Sequence, residues 1–251
     1  MEAFCATSSY PSMTEQIGIS DPLSTGFMGT YSQPLPYRES STMNHLVLFG
    51  DSIFDNRAYV AGGPAVIDQL QKTLPTGWKA SLLAVDGDTA VQVPDQIKKL
   101  PSDCTHLALS AGGNDALGCL DQMETPVPNL IGALGSLSKM LQAFEKNYSA
   151  LITELMALQK PLLVCTIYDS VPGLTEPLKV ALALFNDIIL RSAIVCGVPV
   201  LDLRMICTEA GDYSAQSPIE PSSQGGAKLV DRMVTILSSH DFAKRGCNVY
   251  F

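Results

Sequence analysis

Asn44-His45-Leu46-Val47-Leu48-Phe49-Gly50-Asp51-Ser52 is the stretch whose reading decides the fold. An apolar run of strand length stops at Gly50, and a carboxylate and a hydroxyl follow at once. In a parallel α/β sheet, ligands bind outside the carboxyl ends of the strands. A serine at that point is carried on a rigid scaffold and faces the crevice, so Ser52 reads as a nucleophile. The question it raises is which residue removes its proton.

Working outward, strands and helices alternate. Pro64 and the spacing of Val66, Ile67 and Leu70 predict a helix over 65–72. Ser81 to Val85 reads as a second strand, closed by the turn Asp86-Gly87-Asp88-Thr89, with a short helix over 94–100. His106 to Ser110 is a third strand, followed by Ala111-Gly112-Gly113-Asn114-Asp115. A long helical pattern spans 129–158, and Pro161 to Ile167 is a fourth strand. Thr175 and Pro177 open a helix that stops at Gly197, Val198 to Leu203 is a fifth strand, and a last helix runs over 225–237. Alternation of this kind predicts a parallel sheet covered on both faces.

The turns after the first three strands carry Gly50-Asp51-Ser52, Gly87 and Gly113-Asn114, and they converge at one edge of such a sheet. Taken singly, each is an ordinary turn or cap. Together they suit acyl transfer, where a tetrahedral oxyanion needs fixed donors beside the nucleophile; glycine N–H groups and an Asn amide supply them. Phe49-Gly50-Asp51-Ser52, Gly87 and Gly112-Gly113-Asn114-Asp115, in that order, resemble the GDSL or SGNH hydrolases, a family of esterases and lipases. The likeness extends from Asn44 to about Leu237. It implies a flavodoxin-like, three-layer α/β/α sandwich, here with five parallel strands, in which Ser52 attacks. The Ser52 and Gly87 amides and the Asn114 side chain would form the oxyanion hole.

The family's fourth element, an Asp-x-x-His before the last helix, is absent. Ser217-Pro218-Ile219-Glu220 stands there, with Glu220 in the histidine position and Ser217 in that of the aspartate. Of the three histidines, His45 lies in the first strand, His106 starts the third, and His240 follows the last helix. A free Glu has a pKa of about 4.3 against about 6.5 for His, a deficit of about 3 kcal/mol in proton affinity. Burial raises a carboxylate toward neutrality. Accepting a proton neutralises Glu but charges His, so a neighbouring aspartate helps His and would repel Glu. Ser217 beside Glu220 is therefore coherent with Glu220 as the general base. Against this stands a plainer role for Glu220 as a helix cap or the partner of a surface lysine. The pocket would then persist only as a binding module for acyl or carbohydrate ligands. A flavodoxin-like nucleotide binder is disfavoured, since no G-x-G-x-x-G or Walker sequence follows the first strand. Asp202 with Arg204 reads as a structural ion pair.

A net charge of −9 with no Lys/Arg cluster argues against nucleic acid and anionic membranes as partners. The expected partner is a small or medium neutral ester, with no metal or cofactor, because no His, Cys and carboxylate cluster has ligand spacing. The seven cysteines are scattered without a C-x-x-C pair, which suits a reducing compartment; Cys165 and Cys196 look like core residues. With no apolar run of membrane-spanning length and no basic-then-apolar leader, the expected location is the cytoplasm. Residues 1–42, rich in Ser, Thr, Pro, Gly and Tyr, read as a disordered or loosely docked extension to a single domain over 43–251.

Overall fold

The computed structural model describes residues 43–244 and 246–251. The reading of residues 1–42 as an extension lies outside the described residues. Strand β1 (Asn44–Gly50) is central. It pairs in parallel with β2 (Trp78–Leu82) on one side and with β3 (His106–Ser110) on the other. Strands β4 (Leu162–Cys165), β5 (Val200–Leu201) and β6 (Val249–Tyr250) continue outward from β3, giving one parallel sheet of order β2-β1-β3-β4-β5-β6.

Alternation along β1 sorts its side chains between two cores. Leu46 and Leu48 pack with helices α1 (Val66–Thr73) and α7 (Ser223–Ser239). On the other face, Val47 and Phe49 join α2 (Val93–Ile97), α5 (Leu130–Ala157) and α6 (Glu176–Cys196). Helices cover both faces, as expected for a three-layer α/β/α sandwich. From β1 the chain steps to one neighbour, β2, and then returns past β1 to the other, β3. The order therefore reverses at β1/β3, which opens a crevice beyond their carboxyl ends. Ser52 is two residues past that point.

The element boundaries differ from the sequence reading in instructive places. The second strand is Trp78–Leu82, not 81–85, because its pairing runs from Asn44 with Trp78 to Leu48 with Leu82. Beyond Leu82 the chain peels away: the Leu83 and Ala84 amides both donate to the Leu48 carbonyl, at 2.9 Å. A sixth strand, the two-residue β6, lies in what reads from sequence as a tail. Two short helices, α3 (Gly113–Leu117) and α4 (Leu120–Met123), fill the segment after β3. Thr175 occupies the N-cap of α6 without a side-chain capping bond, whereas Asn129 caps α5 by accepting from the Gly132 amide at 2.9 Å. Gly197 ends α6 in the left-handed region (φ 65°), as its sequence position implies. Cys165 is buried in the core, but Cys196 is only partly so.

Candidate active site

Ser52 is positioned by the way β1 ends. Gly50 has φ +124°, and a Cβ there would fall 1.7 Å from the Ser110 carbonyl oxygen at the end of β3. Only glycine fits so close an approach. The Asp51 amide then donates to that same Ser110 carbonyl at 3.1 Å, and the Asp51 carbonyl accepts from Phe54 and Asp55, each at 3.1 Å. A tight turn results, with Ser52 at its apex; its amide donates to no partner among the described residues.

Gln96 completes this corner and is invisible to motif reading. Its Oε1 accepts from the Gly50 amide at 2.9 Å, while its Nε2 donates to the Gly50 carbonyl at 2.7 Å and to Asp88 Oδ2 at 2.8 Å. The side chain thus stands in for a neighbouring strand and satisfies both polar groups of a buried peptide unit. Gln96→Leu keeps roughly the same bulk but strands the Gly50 amide, while the Gly50 carbonyl keeps the Val85 amide at 3.1 Å. It is expected to cost about 1–3 kcal/mol, read as a lowered urea midpoint.

Asn114, in the first turn of α3, lines the same cleft as Ser52. One hydrogen of its side-chain amide is taken by the Asp88 carbonyl at 2.9 Å, which ties the loop after β3 to the loop after β2. Gly87, in that second loop, has φ +85° in a turn closed by the Asp88 amide on the Val85 carbonyl at 3.1 Å. Gly87 is solvent-exposed and its amide has no partner among the described residues, but it is not among the residues that line the cleft.

Glu220 enters the cleft from the far end of the chain on a segment clamped at three consecutive carbonyls. The Tyr168 hydroxyl donates to Ile219 at 2.5 Å, the Ser214 amide to Glu220 at 2.8 Å, and Asn56 Nδ2 to Pro221 at 3.0 Å. Asn56, which also accepts from the Val66 amide at 2.9 Å, joins the segment after Ser52 to the Glu220 segment. The plainer roles for Glu220 are filled by other residues or left empty. Ser222 caps α7 by accepting from Gln224 and Gly225, and no lysine or arginine pairs with Glu220 among the described residues.

The Glu220 carboxyl is 5% exposed as a residue, and its Oε2 makes no hydrogen bond. Burial raises its pKa above the usual value, the neighbouring Ser52 hydroxyl lowers it, and Asp86 raises it again. Asp51 is pushed up to about 8, chiefly by burial, with Glu220 and Asp115 adding to the rise against the Ile53 amide that Asp51 accepts from at 3.1 Å. Folded protein therefore holds a proton that the unfolded chain releases between about pH 4 and about pH 8. By linkage, stability falls as pH rises through that window. Asp51→Asn is expected to flatten that fall. Between pH 5 and pH 8 the wild type loses up to about 4 kcal/mol more than the variant, measured by denaturant titration at both values.

None of the three histidines lines this cleft. His45 bonds to Asp103 at 2.9 Å and Ser81 at 2.8 Å. His106 bonds to Thr105 at 2.8 Å and packs against Trp78 with the rings tilted by 48°. His240 bonds to the Tyr250 hydroxyl at 2.7 Å, at the end of α7. The Asp202–Arg204 pair forms at 2.6 Å as expected. Asp212 is likewise structural, fully buried and paired with Lys228 at 2.8 Å. Among the described residues no group of three or more His, Cys, Asp or Glu is placed to hold a metal ion, and no helix is long and apolar enough to cross a membrane.

The cleft measures about 290 Å³. Its polar side chains are Ser52, Asp51, Asn114 and Glu220. The remaining wall is almost wholly apolar, from Leu117, Leu120 and Met123 on the α3–α4 side to Leu178, Leu182 and Phe185 on α6. A hydroxyl and carboxyl groups in a mostly hydrocarbon-lined cleft leave room for an apolar group beside the reactive side chains.

The parallel sheet, the crevice at its reversal and a serine on the first turn define an α/β hydrolytic architecture of the flavodoxin-like kind. Residues 48–228 match the model of the GDSL-like lipase/acylhydrolase family, and the chain belongs to that family of carboxylic ester hydrolases. Solved structures of similar fold include a lipase, Lip_vut3, from a goat rumen metagenome. It has a TM-score of 0.61 and 15% identity, over 81% of this chain and 98% of that one. The extracellular lipase of Streptomyces rimosus matches with a TM-score of 0.58 and 17% identity, over 79% of this chain and 100% of its own. The acetyl xylan esterase AlAXEase gives 0.57 and 19%, over 77% and 99%. No curated protein matches the chain.

Proposed function

We propose that the protein hydrolyses esters of apolar, uncharged acyl groups through a Ser52 acyl-enzyme, with Glu220 as general base. One observation supports this most: a buried carboxylate with a free oxygen is held in the same cleft as the hydroxyl that follows the first strand. Ser52 Oγ attacks the carbonyl carbon and its proton passes to Glu220. The oxyanion is met by the Ser52 amide and by the second hydrogen of the Asn114 amide, both at residues that line the cleft, whereas Gly87, expected from sequence as a third donor, does not line it. Glu220 returns the proton to the departing alkoxide, and water repeats the sequence on the acyl group to release the acid.

A carboxylate suits this cleft for an electrostatic reason. Its negative charge moves to the oxyanion as it takes the proton, so no ion pair is created in an apolar site. An imidazole would become cationic and would need a carboxylate behind it, where Ser217 stands. Glu220 acts in its ionised form, so turnover falls as pH drops through its pKa, which burial holds above the ordinary 4.5.

Hydrolysis of p-nitrophenyl esters of two to ten acyl carbons by wild type and Ser52→Ala tests the reading. Turnover that depends on Ser52 and favours chains long enough to fill the slot supports it. A wild type inactive across the series leaves the pocket as an acyl-binding module.

A further inference from the structure

The cleft holds two buried carboxyl groups, Asp51 and Glu220, and no lysine, arginine or histidine lines it. Proton transfer from Ser52 employs Glu220 and leaves Asp51 without a task. The other ionisable groups that face Asp51 are Asp115 on α3, Tyr148 on α5, Cys165 on β4 and Tyr168 just beyond that strand. All are acids, so none brings a positive charge. Two carboxylates in an apolar site without a counter-charge do not both ionise, and one of them keeps its proton. Burial pushes Asp51 up to about 8, so at neutral pH the proton is on Asp51.

Local hydrogen bonds fix where that proton sits. Asp51 Oδ1 accepts from the Ile53 amide at 3.1 Å, which leaves Oδ2 to carry the hydrogen. Oδ2 takes no hydrogen bond from another residue among those described, and it lies 3.7 Å from where a Cβ on Gly113 would stand. Gly113 directly precedes Asn114, whose amide has one hydrogen left for the oxyanion. Asp51 itself directly precedes Ser52, the other donor. The carboxyl O–H is thus carried between the two segments that supply oxyanion donors, in a cleft that Gly87 does not line.

We propose that Asp51, in its neutral form, is a third oxyanion donor: its Oδ2–H hydrogen-bonds the oxygen that becomes negative when Ser52 attacks. The inference rests on the ester-hydrolase reading of Ser52. Asp51 keeps its proton throughout; only the Ser52 proton travels, to Glu220 and then to the departing alkoxide. A neutral carboxylic acid is a strong donor in a site with little water, whereas an ionised Asp51 would repel the oxyanion.

The test is kcat/KM for a p-nitrophenyl ester from about pH 5 to about pH 9.5 in wild type, Asp51→Asn and Asp51→Ala, each checked by circular dichroism at both ends of the range. Asparagine keeps the shape of the neutral acid: its oxygen accepts from Ile53, and its N–H donates at every pH. Wild-type kcat/KM is expected to fall on the alkaline side with a pKa of about 8. Asp51→Asn should lose that limb and exceed the wild type at the alkaline end. Asp51→Ala should lower kcat by about 10²–10³-fold with little change in KM. Where Asp51→Ala does not fold, the alkaline limbs of wild type and Asp51→Asn decide. A purely structural role would shift melting temperatures and leave the limb in place. A folded, Ser52-dependent wild type without an alkaline limb overturns the proposal, and so does a limb that Asp51→Asn retains. A wild type without Ser52-dependent turnover at any pH overturns the ester-hydrolase reading itself, and the donor role falls with it.

Discussion

Ser52→Ala is expected to lower kcat/KM for a p-nitrophenyl ester by about 10⁴-fold or more, and Glu220→Gln by about 10²–10⁴-fold. The nucleophile has no substitute in the cleft, so its loss removes the covalent route entirely. Glutamine keeps the size of Glu220 and leaves the clamp untouched, because the three hydrogen bonds that hold this segment end on backbone carbonyls. Only proton acceptance is lost. The same change removes a buried charge whose Oε2 has no partner, so Glu220→Gln should melt no lower than wild type. An inactive protein that is equally or more stable separates a catalytic role from a structural one. Loss of activity together with loss of stability would place Glu220 in the scaffold instead.

Gly50→Ala is expected to be the most destabilising of the small substitutions, by more than about 3 kcal/mol. Two effects add. The backbone sits at φ +124°, which an L side chain adopts only under strain, and the new methyl would lie 1.7 Å from the Ser110 carbonyl oxygen. Relief requires β1 and β3 to separate at the point where Ser52 is held, so activity should fall with stability. Gly62→Ala is the control. Its φ is +83° but nothing lies within 4 Å, leaving only the conformational cost of about 1 kcal/mol. Urea midpoints for both variants separate the steric part from the backbone part. Equal losses would show that the close approach to Ser110 is easily relaxed.

What could be read from sequence were the features encoded locally. The run into Gly50-Asp51-Ser52 identified the central strand, since an apolar tetrapeptide ending in glycine needs no distant partner to be recognised. Gly197 marked the end of α6 for the same reason. Glu220 was reached by order, as the residue standing in the histidine position ahead of the last helix. Long-range contacts escaped. Gln96 sits in a five-residue helix, and nothing in Val93-Pro94-Asp95-Gln96-Ile97 announces that it bonds both sides of Gly50, 46 residues earlier. Asn56 reaches Pro221 across 165 residues. The second strand was misplaced because Ser81 to Val85 is the more apolar stretch, whereas pairing with β1 favours Trp78–Leu82. Both α3 and α4, whose leucines wall the cleft, are too short to give a periodic signal.

The carboxylate base is tested most directly by the acid limb of kcat/KM against pH in wild type and Glu220→His. The wild-type limb should turn at a pKa above 4.5, where burial holds Glu220, and Glu220→His should move the turn to that of an imidazole, about 6.5. A wild-type limb already at the imidazole position, unmoved by the substitution, would show that another group takes the Ser52 proton.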